Sequence, residues 1–205
     1  MAAPLPKRDD RRRETILEIA RDVFMMQGFA ATSMSAIATR LGGSKGTLYN
    51  YFKSKEELFG AVVSRECAGL AASLFENVPP DGEMRQRLTH FGRVILSRLL
   101  EDGPIRLQRI IVAETERFPE IGAAFYESGP RQIQDRLSAY MAADIAAGRL
   151  SEADPRIAAA QFKDLVLSNI HQQKLWGVLG DFTDAQIDEH VKQAVETFLR
   201  AYAPH

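Results

Sequence analysis

The stretch LGGSKGTLYNYFKSKEEL, Leu41 to Leu58, gathers three glycines, a serine, a lysine and a threonine into the six positions from Gly42 to Thr47. Such a composition suits phosphate: glycines let backbone N–H groups come close to the oxygens, and lysine and hydroxyl side chains donate to them. The phosphate can be that of a bound nucleotide or that of a nucleic-acid backbone. A nucleotide-cradling P-loop needs G-x-x-x-x-G-K-[ST] between a strand and a helix. Here the order is Lys45-Gly46-Thr47, and the preceding MSAIATRL has helical character. No G-x-G-x-x-G occurs either. The nucleotide reading fails on spacing and on context.

The nucleic-acid reading fits better. Two short helices, Met34–Leu41 and Lys45–Phe52, flank the Gly42-Gly43 turn, which makes a helix-turn-helix. The second helix of that motif enters the major groove, and residues near its N-terminus reach base edges. Those residues are Ser44, Lys45, Gly46, Thr47, Tyr49 and Asn50. Lys45 can donate to guanine O6 or N7. The Thr47 methyl can pack on a thymine methyl, and its hydroxyl can bond a base edge or a phosphate. Gly46 lets the backbone approach closely. Thr32 and Ser33 stand at the start of the first helix of the motif, whose free N–H groups suit phosphate. Tyr49 and Tyr51 can donate to phosphate oxygens, and Lys53 and Lys55 add neutralising charge.

The elements that must position these residues are helical. Residues 1–9 form a flexible N-terminal arm. Between Arg11 and Gln27, Ile16, Ala20, Val23 and Phe24 fall at i, i+4, i+7 and i+8, one face of a helix that Gly28 ends. Thr32 or Ser33 caps the second helix and Ser44 the third. Ser54 and Glu57 form a capping box that opens a fourth helix, expected to reach Asn77. After the break NVPPDGE a helix is expected from Glu83 to Leu100, then one from Pro104 at its first position to Arg117. Pro119 and Pro130 punctuate the next segments. Further helices are expected at Pro130–Ala147, Asp154–Val178 and Asp184–Tyr202. The fold class is therefore all-α, with nine to ten helices and no strand. In the last two helices Phe162, Val166, Ile170, Val191, Val195, Phe198 and Tyr202 lie on apolar faces. Such faces bury either in the chain's own core or in a dimer interface, where two helices from each copy make a four-helix bundle. Periodicity leaves both open.

Composition narrows the function classes. The 205 residues are 45% apolar and 26% charged, with net charge −1, within the range of globular chains. Residues 1–60 hold ten Lys/Arg against seven Asp/Glu, and residues 61–205 hold sixteen against twenty. The helix-turn-helix thus lies in the basic part. The lone Cys67 excludes an intrachain disulfide and fits a reducing cytoplasm. The start MAAPLPKRDDRRRE has no apolar signal-peptide core, and no apolar run approaches the roughly 20 residues of a membrane span. A cytoplasmic protein without membrane contact is expected. His90, His171, His190 and His205 show no metal-ligand spacing, and there is no nucleophile elbow or catalytic dyad. No metal, cofactor or enzymatic activity is expected.

The segment from Glu14 to about Val63 resembles the DNA-binding domain of the TetR family of transcriptional regulators. Gly28-Phe29, Thr32-Ser33, Ile37-Ala38 and SKGTLYNYFKSKEEL carry the resemblance. Where Gly43 stands, relatives usually have a small apolar residue such as valine, so somewhat looser turn packing is expected. The segments RIIVAETERFPEIGAAFYESGP (Arg109–Pro130) and GRLSEADPRIAAAQFKDLV (Gly148–Val166) look like the AefR-like subgroup of AcrR-type regulators. The resemblance implies a three-helix DNA-binding domain over residues 10–54 and a larger helical ligand-binding and dimerisation domain over residues 55–205. It implies a homodimer on a near-palindromic double-stranded operator, with Thr32, Ser33, Ser44, Lys45, Thr47, Tyr49, Asn50, Tyr51 and Lys55 at DNA-contacting positions. Asn50, the most variable of these, would be a source of operator specificity.

A small-molecule effector is then expected among the middle helices, with Phe91, Ile95, Ile110, Glu114, Phe118, Phe125, Tyr126, Phe162 and Trp176 as pocket candidates. Glu114 can recognise a cationic ligand, cap a loop, or pair with Arg109 or Arg117. The function expected is a repressor released from its operator by that ligand. The alternative is a regulator of the same fold controlled by a protein partner or by dimerisation only. A cavity of several hundred Å³ favours the first and a solid core the second.

Overall fold

Side-chain caps set several helix starts in this chain. The computed structural model describes residues 8–76 and 83–204. Among them are ten α-helices and no strand: α1 (Arg8–Ala31), α2 (Met34–Arg40), α3 (Lys45–Tyr51), α4 (Lys55–Ser73), α5 (Met84–Leu99), α6 (Asp102–Thr115), α7 (Pro119–Ser128), α8 (Pro130–Ala146), α9 (Pro155–Trp176) and α10 (Asp184–Tyr202). Side-chain oxygens accept from the first-turn N–H groups at Ser33, Ser44, Asp154 and Thr183, and Thr183 with Gln186 completes a capping box. Several boundaries differ from expectation: α4, α6 and α9 end at Ser73, Thr115 and Trp176, two to four residues early. α1 already starts at Arg8, inside the segment expected to be an arm, of which residues 1–7 lie outside the described residues. α6 starts at Asp102, so Pro104 is its third residue, where its missing N–H still costs no helical bond. α4 ends at Ser73 and passes into a turn over residues 74–76, short of the expected Asn77, which with most of the NVPPDGE break lies outside the described residues.

The chain divides into two compact units, one of residues 1–67 with 109–127, the other of residues 68–108 with 128–205. These units do not divide at Lys55, where the domain boundary is expected: α4 and α6 each contribute to both units, and residues 109–127 group with the N-terminal helices. The physical reason is visible at Phe118, whose ring meets that of Phe29 edge-on at 5.4 Å.

In the first unit Ile16, Leu17, Ala20, Val23 and Phe24 of α1 are buried with Ile37 and Ala38 of α2, Leu48 of α3, and Leu58, Phe59, Val62 and Val63 of α4. Gly28 interrupts α1 at φ 79, ψ 168, a conformation that only glycine adopts without strain. The bend turns Phe29 inward, where it is 3% exposed and packs on Phe24 and Phe59 at 5.9 and 5.1 Å.

In the second unit α9 packs against α8, α10 and α5, and α10 also packs on α5. Their shared core holds Phe91, Ile95, Leu137, Met141, Phe162, Val166, Val191, Val195 and Phe198. The apolar faces of the last two helices therefore meet each other and α5 and α8. Phe162, Val166, Val191, Val195 and Phe198, expected above as possible dimer contacts, are at most 1% exposed within one chain and have no surface left for a partner. Ile170 and Tyr202 are half-buried. α9 is broken at Ser168 (φ 40, ψ −141). The carbonyl of Val166, two residues earlier, accepts from His190 Nε2 at 2.8 Å, which places the ring proton on that nitrogen.

At Gly92, α5 comes close to α9 and α10. A Cβ there would lie 2.8 Å from Val191 Cγ1 and 3.3 Å from Val166 Cγ2, both fully buried. Gly92→Ala should therefore lower the unfolding free energy by about 1–3 kcal/mol through overpacking. Urea denaturation followed by circular dichroism checks this, and unchanged stability would show that α5 is free to shift away from α9 and α10.

Candidate nucleic-acid interface

Seven residues make up α3, and their side chains divide by side. Leu48 is wholly buried against the first unit's core, while Lys45, Gly46, Tyr49 and Asn50 are exposed and Thr47 is half-buried. The helix presents a cation, a hydroxyl, a phenol and an amide to solvent, and no carboxylate. Lys45 Nζ lies 6.0 Å from the centroid of the Tyr49 ring, one turn along. Ser44 fixes the entrance to the helix. Its Oγ accepts from the Thr47 N–H at 3.1 Å and lies 3.0 Å from Thr47 Oγ1. The two hydroxyls thus hold each other in place at the helix start, where groove-reading helices present their side chains.

The turn before α3 is held by backbone. Gly42 takes a left-handed φ of 66°, its N–H donates to Thr39 O at 3.1 Å, and the Gly43 N–H donates to Ala38 O at 3.2 Å. This is the paired closure of a Schellman motif. Gly43 has no left-handed φ to require glycine. A Cβ added there would meet Arg12 Nη2 at 3.4 Å and Leu41 Cδ2 at 3.8 Å, ordinary contact distances. The loosening expected from glycine at this position is countered by the two backbone bonds.

Two expected phosphate contacts have other work. Thr32 is 3% exposed, and its hydroxyl donates to Gly28 O at 2.7 Å. Lys55 is half-buried, with Nζ donating to Phe29 O at 2.9 Å and to Ala30 O at 3.5 Å while standing 4.2 Å from the centre of the Phe29 ring. Together they satisfy carbonyls that the end of α1 leaves without helical donors. Tyr51 is engaged too, its hydroxyl donating to Asp9 Oδ1 at 3.1 Å. Ser33 is exposed. Its Oγ accepts from the Ala36 N–H at 3.1 Å, which leaves its own O–H able to donate. Lys53 is exposed, and its backbone N–H donates to Glu57 Oε2 at 2.7 Å. The expected box around Ser54 and Glu57 is present, with Glu57 reaching one residue further back than usual.

Residues that the sequence reading passed over also lie at this surface. Arg12 reaches the turn at Gly43, and Arg13 stacks over the Phe52 ring at 5.2 Å. Arg40 is exposed at the end of α2. The run Arg11-Arg12-Arg13 was a visible signal, but nothing in its spacing showed that α1 brings it to the Gly42-Gly43 turn.

A polar α3 edge on a capped, backbone-closed helix-turn-helix is the geometry of a groove reader, and likeness to known proteins agrees with it. Residues 16–62 match the family model of bacterial regulatory proteins, tetR family. Residues 86–204 match the model of the AefR-like transcriptional repressor C-terminal domain. The chain belongs to the tetR family. Among curated relatives, the HTH-type transcriptional repressor Rv3405c of Mycobacterium tuberculosis is 32% identical over 121 residues, 58% of this chain, and the chain spans only 60% of that relative's length. A putative TetR-family transcriptional regulator from Mesorhizobium loti MAFF303099 superposes with a TM-score of 0.90 at 27% identity, covering 97% of this chain and 100% of that one. The flavonoid-responsive regulator FrrA superposes with a TM-score of 0.80 at 34% identity, covering 96% and 99%.

The residues expected to line an effector pocket are dispersed. Ile95 and Phe162 are wholly buried in the core of the second unit, and Trp176 is 69% exposed. Ile110, Glu114, Phe118, Phe125 and Tyr126 belong to the first unit. Phe118 there packs in the Phe29 cluster with Arg117 5.2 Å over its ring. Phe91 lines a hollow between α5 and α8. Among the described residues no group of His, Cys, Asp and Glu is placed to hold a metal ion, and no helix is long and apolar enough to cross a membrane.

The placement of Lys55 makes a prediction opposite to that for a phosphate clamp. Lys55→Met should lower the unfolding free energy by about 1.5–3 kcal/mol, the worth of a charged hydrogen bond. The slope of log operator affinity against log salt should stay the same. Chemical denaturation and a salt titration of DNA binding separate the two outcomes. A shallower salt slope with unchanged stability would return Lys55 to the DNA.

Proposed function

We propose that this chain is a sequence-specific, DNA-binding transcriptional regulator of the bacterial cytoplasm, acting as a homodimeric repressor that a small-molecule effector releases from its operator. The observation that carries the reading is the exposed edge of α3, with Lys45, Thr47, Tyr49 and Asn50 outward and Leu48 buried behind them. Lys45 suits guanine O6 or N7, Asn50 suits adenine N6 and N7, and the Thr47 methyl suits thymine. Ser33, Tyr49 and Lys53 serve as phosphate contacts that fix the register. Arg12 and Arg40 add charge at the same surface.

A dimer places two α3 helices one DNA turn apart, about 34–36 Å, on a near-palindromic site. Its contacts fall to side chains that the monomer core leaves outside, among which Ile157 and Trp176 on α9 and Val178 just after it are large exposed apolar ones of the second unit. The structural neighbour FrrA is by name a flavonoid-responsive regulator, which supports a small-molecule effector here. An effector that favours one dimer geometry weakens operator binding by the same factor by which DNA weakens effector binding. α4 and α6, which contribute to both compact units, are the continuous elements through which such a change travels.

Selection of bound DNA from a random pool by the purified full-length protein tests the reading. The expected result is a two-fold symmetric consensus, and a pool that stays random overturns it. Within the selected site, Lys45→Ala should weaken binding by about 1–3 kcal/mol and relax preference at one base pair per half-site. Lys53→Ala should weaken all sequences alike and reduce the salt slope by about 0.9 per subunit. Gel-shift titrations over a salt series distinguish a base reader from a backbone contact.

A further inference from the structure

The second unit holds a buried guanidinium that is only half used. Arg87 on α5 has a side chain 9% exposed, and its Nη2 donates to Asp144 Oδ1 of α8 at 2.5 Å. Arg149 donates to the same oxygen through Nε at 2.8 Å and Nη2 at 2.6 Å. Two cations thus share one carboxylate, leaving an excess of one positive charge. The Arg149 side chain is 48% exposed and hydrated, so the uncompensated part of that charge falls on Arg87. A guanidinium ordinarily meets a carboxylate with two parallel N–H donors. Here Asp144 takes one, and Arg87 Nε is buried with no acceptor among the described residues. A buried donor left in this state is costly, more so on a charged group.

Beside this group lies a hollow of about 10 Å³, room for roughly one water-sized group. Arg87 and Asp144 form its polar end, and Phe91, Leu137, Tyr140 and Met141 are among its other walls. Phe91 and Tyr140 meet edge-to-face at 5.0 Å, and Phe75 packs on both, at 5.3 and 6.1 Å. Tyr140 is half-buried while those other wall residues are buried, so a ligand enters past its ring. Met141, flexible and polarisable, is the side chain that yields most easily. One unmatched cationic donor behind aromatic walls selects a flat apolar body bearing a single negative oxygen group. Phosphate, with more acceptors than this one donor can serve, does not fit.

We propose that the Arg87 hollow is the acid-recognising end of a binding site for small aromatic carboxylates, with Arg87 Nε donating to the carboxylate and Phe91 and Tyr140 packing on the ring. The site gives a chemical class to the effector, and in that respect it rests on the regulatory reading above. Binding opens the hollow by displacement of Tyr140 and Met141, while Asp144 stays paired with Arg149.

The test uses the full-length protein with benzoate as probe and benzamide, its neutral counterpart of equal shape, as control. Calorimetric titration should give saturable benzoate binding, with benzamide weaker by at least about tenfold. Arg87→Lys, which keeps the charge and removes Nε, should weaken benzoate by about tenfold or more. Met141→Phe, which fills the hollow and leaves Arg87 in place, should also abolish binding. Should either variant fail to fold, the benzoate-to-benzamide ratio of the unmodified protein decides alone. Equal binding of the two probes, or no saturable benzoate binding up to roughly 10 mM, overturns the proposal and leaves a hollow that takes only water. Operator affinity measured in parallel separates the two readings. Benzoate that binds without changing operator affinity upholds the site and refutes its effector role. Operator binding with no benzoate binding refutes the site and leaves the DNA-binding reading intact.

Discussion

The surface that faces DNA in the proposed reading depends on a bend that faces the core. At Gly28 the chain leaves the α1 axis, and the carbonyls of Gly28, Phe29 and Ala30 are left for non-helical donors. Thr32 and Lys55 supply them, and the Lys55 ammonium also rests on the Phe29 ring. Phe29 in turn touches Phe24, Phe59 and Phe118. One aromatic ring and one lysine thus tie the end of α1 to the start of α4 and to the α6–α7 junction. α2 and α3 are strung between the two ends of that tie, Thr32 and Lys55. The register of α3 is therefore fixed from both sides, before any DNA is present.

This arrangement gives Lys55 and Thr32 a structural role that their sequence neighbours do not show. In sequence they stand next to residues suited to phosphate, and a lysine at a helix start beside Ser54 looks like a backbone clamp. Only the fold brings Lys55 back across twenty-six positions to Phe29. Sequence distance hides such a bond, whereas the bonds of Ser33, Ser44 and Ser54 run three residues forward and could be read directly. The helices themselves were legible for the same reason: caps, glycine stops and 3.6-residue periodicity are local. α10 begins and ends where its capping Thr183 and its apolar stripe put it.

The apolar faces of α9 and α10 show the limit of periodicity. A stripe such as Val191, Val195 and Phe198 says that a face is buried and is silent about what buries it. The answer came from Gly92, whose missing side chain lets α5 sit against Val191 and Val166, and from edge-on contact of Phe162 with Phe198 at 5.3 Å. Both are contacts between residues more than thirty positions apart in sequence. The pocket candidates are likewise set apart by contacts that spacing does not show. Phe91, Phe118 and Phe162 are divided between two units, Tyr126 and Trp176 are exposed, and Arg87, with a buried unsatisfied donor beside a hollow, looked in sequence like any surface arginine.

The two units therefore solve different problems with the same kind of residue. In the first, Lys55 is a half-buried cation whose ammonium donates to backbone carbonyls, which makes it part of the scaffold. In the second, Arg87 is a buried cation with one donor left over. A scaffold gains nothing from that remainder, since an apolar side chain of similar volume would pack α5 on α8 without leaving a buried charge. A buried donor without an acceptor is tolerable when the molecule has a state in which it is satisfied. A regulator that changes affinity on binding a ligand has two such states by definition, and the free energy stored in the unmatched donor is a contribution that ligand binding can release.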